Sequence, residues 1–159
     1  MIKLPKGILK IGTAAFYGCK SLKSLSIPIA IPKADGVYAG WPYLKSIIIP
    51  DNEHEISDGA FEGCSQLTSV TFHDNITAIG NNAFKNCTGL EEIILPKNLK
   101  TIGAGAFHGC NNIKKIIIDA NPQFALTSFS VWKTATIYCK ENSKIHEFCD
   151  SHKLSYKIL

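Results

Sequence analysis

Arginine is absent from this 159-residue chain. All 17 basic residues are lysines, set against 13 acids, for a formal charge of +4. Arginine's planar fork is the usual reader of phosphates and guanine edges, and the lysines here are spread along the chain rather than clustered. A nucleic-acid partner is therefore not expected. Long apolar runs are missing too. They are as short as Ile47–Ile49, and none approaches the roughly 20 residues a membrane-spanning helix needs, so no membrane insertion is expected. The opening MIKLPKGILK has neither an apolar leader core nor a small-residue cleavage site. A phosphate-cradling glycine loop is absent as well, because Gly103-Ala104-Gly105 falls inside a repeated turn. The histidines sit at unrelated places, with no exposed nucleophile beside a base. An enzyme is not expected, and no cofactor or metal. With 45% apolar and 19% charged residues the chain is read as folded rather than disordered.

What the chain does contain is a repeat. Ile76–Pro96, ITAIGNNAFKNCTGLEEIILP, and Leu99–Asp119, LKTIGAGAFHGCNNIKKIIID, are copies of one pattern set 23 residues apart. Aligned on the aromatic position, the register runs Phe16, Tyr38, Phe61, Phe84, Phe107 and Phe129, at spacings of 22, 23, 23, 23 and 22. Three residues on it gives Cys19, Trp41, Cys64, Cys87, Cys110 and Trp132, and three further Leu22, Leu44, Leu67, Leu90, Ile113 and, weakly, Ala135. Paired apolar positions follow at Leu25/Ile27, Ile47/Ile49, Val70/Phe72, Ile93/Leu95, Ile116/Ile118 and Ile137/Cys139. Six coils result, the second and sixth degenerate. The aromatic and Cys/Trp positions are expected to form a core ladder.

The Leu-x-x-Ile-x-Ile run alternates as a strand with one buried face does. Proline or Asp after it ends the strand. The Ile-Gly pairs at Ile11, Ile79 and Ile102 predict a second short extended segment before a turn. Ala-Phe-x-x-Cys is too short for a free helix, and is read as a turn or a single 3-10 turn with Phe and Cys inward. One coil cannot bury its apolar side alone, but stacked coils can. The expected fold is a mainly β repeat solenoid over residues 1–140, on the order of 30 Å long at the spacing of stacked strands. The chain is expected to open inside a repeat, since Ile2-Lys3-Leu4-Pro5 matches Leu25-Ser26-Ile27-Pro28, with further repeats or another domain upstream. A cap over residues 141–159 is expected to close the other end. There Ser143 would N-cap a helix from Lys144 to about Ser151, with Ile145, Phe148 and Cys149 inward, before a last strand in Ser155–Leu159.

The string I-G-x-x-A-F-x-x-C-x-x-L-x-x-I-x-I-P, carried by Ile79, Gly80, Ala83, Phe84, Cys87, Leu90, Ile93, Leu95 and Pro96, resembles the repeat of BspA-like leucine-rich repeat proteins. The resemblance covers about residues 1–140. It implies a curved, right-handed superhelix with one stacked parallel sheet face and 3-10 or turn segments on the other side. It also implies an extracellular or cell-surface setting and protein or matrix binding rather than catalysis. Trp41 and Trp132 depart from the pattern.

Among candidate sites, four cysteines hold one inward position where Trp substitutes twice, so free buried thiols are expected, although neighbouring rungs lie within bridging distance. Cys139 is also inward by register. Cys139 and Cys149 in the cap could pair. His146, Cys149 and His152 have metal-ligand residue types, but at about 100° per residue the outer two lie about 120° apart around a helix and are poorly aligned on a single face, so a cap helix with an inward Cys is the better reading. Asp51, Glu53, Glu55, Asp58 and Glu62 gather around His54 without the spacing of a calcium loop, and read as a solvated connection. The sequons at Asn75 and Asn86 read as chance. The sharper candidate is the outward face of the main strands. One column reads Ser26, Ile48, Thr71, Ile94, Ile117, Tyr138, and a second Ser24, Ser46, Ser69, Glu92, Lys115, Thr136. Ile48, Ile94, Ile117 and Tyr138 are expected to be exposed, edged by Glu92 and Lys115. The face could bind a protein or surface ligand, or the β-branched residues could serve strand formation alone in a passive spacer.

Overall fold

Period-2 stretches separated by 23 residues can bury their apolar side only by stacking copy on copy, and that is the architecture observed. The computed structural model describes residues 2–3, 19, 24–26, 41–49, 53–124 and 131–159. The main strands are β1 (Ile2–Lys3), β2 (Ser24–Ser26), β3 (Ser46–Ile48) and β5 (Ser69–Thr71), then β7 (Glu92–Leu95), β9 (Lys115–Ile118), β11 (Thr136–Cys139) and β12 (Tyr156–Ile158). They form two four-stranded parallel ladders, β1-β2-β3-β5 and β7-β9-β11-β12, with β5 beside β7 where the ladder is interrupted. Register follows the repeat: Ile47 faces Val70, Ile93 faces Ile116, and Ile116 faces Ile137.

A second parallel ladder of two-residue strands joins β4 (Glu55–Ile56), β6 (Ala78–Ile79), β8 (Thr101–Ile102) and β10 (Gln123–Phe124). The Ile-Gly pairs at 79 and 102 are part of it, as expected. Ile56, which has no following glycine, belongs to the same ladder.

Between this ladder and the next main strand, residues 58–63, 81–86 and 104–109 are turns, and the described 3-10 turn is Val131–Lys133 in the sixth coil. These turns also hold the coils together. Alternate amides reach the next coil, as in Phe61 N–H to the Ala83 carbonyl at 2.7 Å and Phe84 N–H to Ala106 at 2.8 Å. Such alternation needs left-handed residues at fixed places. Gly59, Asn82 and Gly105 share one, and Gly63, Asn86 and Gly109 the other, with φ between 54° and 77°. Glycine, and asparagine after it, are the residues that tolerate this region.

The core runs continuously from Trp41 to Leu154. The Phe61, Phe84 and Phe107 rings stack at 5.2 and 5.4 Å, and Cys64, Cys87 and Cys110 beneath them are completely buried. Trp41 and Trp132 are buried in the same register, so both departures are packing substitutions. Cys19 is half-buried rather than enclosed, while Phe16, Tyr38 and Phe129 lie outside the described residues. Helix α1 (Lys144–His152) is N-capped by Ser143, whose hydroxyl accepts from the His146 amide, and it buries Ile145 and Cys149. β12 then pairs in parallel with β11, placing Tyr156 opposite Ile137.

Candidate interaction face

Successive main strands put every second side chain on the solvent face, and parallel pairing stacks equivalent positions into columns. Ile94 pairs with Ile117, and Ile117 with Tyr138, so the expected column is contiguous there. Ile48 and Ile94 are 53% and 55% exposed, large values for isoleucine on a folded surface. Thr71, between them, is exposed as well. Ile117 and Tyr138, however, are half-buried, against the expectation that they are open. For Tyr138 the reason is lateral cover. Lys115 Nζ stands 5.5 Å and Lys157 Nζ 5.9 Å from the centroid of the Tyr138 ring. Lys157 comes from β12, whose addition beside β11 was expected only as a last strand without register.

The second column is ionic. Lys115 Nζ donates to Glu92 Oε1 at 2.8 Å, and the Glu92 carboxylate raises the Lys115 pKa. The neighbouring Glu91–Lys114 pair is looser, at 3.9 Å. Both are exposed pairs between adjacent coils, worth little individually.

At the C-terminal ends of the same strands lies a groove floored by Phe72, Ile94, Ile117 and Leu159 and rimmed by Asp74, Lys97, Asp119 and Lys140. Lys140 pairs with Asp119 at 2.5 Å, and Asp74 Oδ1 accepts from the Lys97 amide at 3.2 Å. Phe72 and Leu159 are missing from the sequence-based face. Phe72 holds a nominally inward position but is half-buried, and Leu159 follows β12. The offset that pairs Cys139 with Ile158 is the signal that would have placed Leu159 here.

The other candidates do not converge. Asp51 lies outside the described residues, Asp58 bonds the Asn81 amide and side chain, and Glu62 pairs with Lys85 at 2.9 Å. Burial raises the Glu53 pKa. His146 Nδ1 accepts from the Asn142 amide at 3.0 Å, and its Nε2 faces the Tyr156 hydroxyl at 3.0 Å. His152 stacks on Phe148 and Cys149 is enclosed, so the three do not share a site. All six cysteines are free thiols. Burial pushes the Cys64 thiol up to about 12, and the Cys110 hydrogen bond with burial raises Cys87. Such thiols are poor nucleophiles at neutral pH.

Among solved structures, a leucine-rich repeat protein from Bacteroides ovatus is similar over 99% of this chain and 42% of its own, at 25% identity and a TM-score of 0.74. A leucine-rich cell surface protein from Faecalibacterium prausnitzii is similar over 74% of this chain and 38% of its own, at 26% identity and a TM-score of 0.54. The pneumococcal vaccine antigen PcpA shares the fold over 86% of this chain and 41% of its own, at 21% identity and a TM-score of 0.65. This chain thus spans less than half the length of each of these structures. No curated protein matches it. The BspA-type leucine-rich repeat model matches in six copies, over residues 1–36 and 34–153, and that family is generally non-enzymatic. With the register, the two ladders and this match in agreement, the chain belongs to the BspA-type leucine-rich repeat family.

Proposed function

We propose that this chain is a non-catalytic interaction module of a surface-displayed or secreted protein, and that it holds a protein or matrix ligand on the outer face of its main sheet. The observation that carries the reading is the exposure of Ile48 and Ile94 on that face, next to the groove floored by Phe72 and Leu159. Apolar side chains set among charges that are already paired form the usual centre of a partner surface. Similarity to proteins described as a cell surface protein and a vaccine antigen supports the setting.

A spacer role is the second reading, and the lysine cover over Tyr138 favours it, because it shortens the apolar column. The two readings part in one experiment. The chain and an Ile48→Lys/Ile94→Lys variant are compared for binding to a panel of immobilised extracellular-matrix proteins. Both isoleucines are exposed, so the variant is expected to keep its melting temperature. An interaction module binds at least one panel member, and the variant loses at least about tenfold in affinity, or about 1.4 kcal/mol. A chain that binds no panel member, or a variant that binds as tightly as the parent, marks a spacer.

A further inference from the structure

The buried cysteines are held in two different ways. In the repeat column Cys87 Sγ donates to the Phe61 carbonyl at 3.1 Å, and Cys110 Sγ to the Phe84 carbonyl at 3.0 Å. Each thiol serves as a donor to the main chain of the preceding coil, which requires it to keep its proton. Cys87 and Cys110 also interact with each other, but each keeps a carbonyl of the preceding coil as a second partner. Cys139 and Cys149 stand outside that pattern. Cys139 is the inward last residue of β11, and Cys149 lies on the buried face of α1. They meet where α1 packs against β11, close enough for each thiol to shift the pKa of the other, with Ser143 also acting on Cys139. The backbone holds them in place from both sides. Leu154 N–H bonds the Cys149 carbonyl, and Leu159 N–H bonds the Cys139 carbonyl, both at 2.9 Å.

The geometry points to Cys139 and Cys149 as a dithiol that closes to a disulfide in oxidising surroundings and locks the C-terminal helix and strand onto the end of the solenoid. Two adjoining buried thiols on packed elements can reach the bond length of about 2.05 Å by side-chain rotation and a short approach. The oxidant is a low-molecular-weight disulfide, RS–SR. One cysteine thiolate attacks a sulfur of RS–SR and expels RS⁻, leaving a mixed disulfide. The second thiolate attacks the protein sulfur of that mixed disulfide and expels the other RS⁻. The two protons lost by the cysteines end on the two RS⁻ groups, so RS–SR is reduced to two RSH as the pair is oxidised. Burial pushes Cys149 up to about 12 and raises Cys139, which keeps the docked pair slow to react. Exchange therefore waits for α1 to fray, and closure then suppresses that fraying.

The test uses the unmodified chain, held reduced or incubated with oxidised glutathione, then denatured and alkylated without reductant. After oxidation, two of the six thiols are expected to resist alkylation. Cleavage after Lys133, Lys140, Lys144 and Lys153 should yield peptides 134–140 and 145–153 joined. The melting temperature should rise by about 5 °C and fall back on reduction. Six alkylated thiols after oxidation, or linkage within Cys64, Cys87 and Cys110, would overturn the pairing. A 139–149 link that leaves the melting temperature unmoved would overturn the locking. A Cys149→Ala variant should show no oxidation-dependent rise, and the parent's peptide map decides the pairing whether or not that variant folds.

Discussion

Gly103 has no room for a side chain. A Cβ there would stand 2.5 Å from the Asn81 amide nitrogen and 2.6 Å from the Gly80 carbonyl carbon, both main-chain atoms of the preceding coil. Gly80 meets Asp58 in the same way, at 2.5 Å from its Oδ1 and 2.7 Å from its amide nitrogen. The glycine of the Ile-Gly pair is therefore a device for close approach between coils, not a flexible joint. Gly103→Ala is expected to cost about 2 kcal/mol, since backbone rather than a movable side chain must yield; urea denaturation of parent and variant measures it. The left-handed sites carry a different demand. Asn82 and Asn86 occupy the same conformation as Gly59, Gly63, Gly105 and Gly109, so these positions alternate between two residue types for one physical reason. That alternation is visible in the sequence only once the register is known, because Asn and Gly do not look alike as letters.

Among the described elements, α1 departs from the repeat. Its start is written locally: the Ser143 hydroxyl accepts from the His146 amide at 3.1 Å, and the Ser143 carbonyl accepts from Glu147 at 3.0 Å. Ser143→Ala is expected to remove about 1 kcal/mol. Hydrogen exchange should show the loss at the first-turn amides of α1, with the amides of β7 and β9 unchanged. Helix, cap residue and inward Ile145 and Cys149 were all legible, because a capped amphipathic helix declares itself within a few residues. The main strands were legible for a related reason, as period 2 and the repeat agree. The second ladder was legible only in part. Two-residue strands such as Glu55–Ile56 have no periodicity of their own, and they form because the main sheet has already set the coils at strand spacing.

For the whole molecule, the stack shares one core. Phe84 is completely buried, lies between Phe61 and Phe107, and meets Phe72 edge-on at 5.9 Å. Phe84→Ala should therefore cost about 3–5 kcal/mol and lower the melting transition of the chain as a unit, not of one coil; calorimetry reads both the shift and the width. The outer face carries the opposite expectation. Lysines at Ile48 and Ile94 should stay within about 0.5 kcal/mol of the parent in stability, as exposed positions do.

The sequence alone determined the family, the coil length, the inward column and the cap helix. Those features rest on buried apolar positions, and burial imposes a strict period on a chain that stacks on itself. The tertiary structure decided which outward residues are open. Ile117 and Tyr138 stand in the expected column, yet Lys115 and Lys157 cover the Tyr138 ring from neighbouring strands, and nothing in a periodic pattern tells a long flexible side chain which way to lie. Phe72 and Leu159 entered the groove by the same route, through the meeting of strand ends from coils far apart in sequence. The contact between Cys139 and Cys149 likewise exists because α1 folds back on β11. Period sets what faces in; lateral neighbours, which have no period, set what remains exposed.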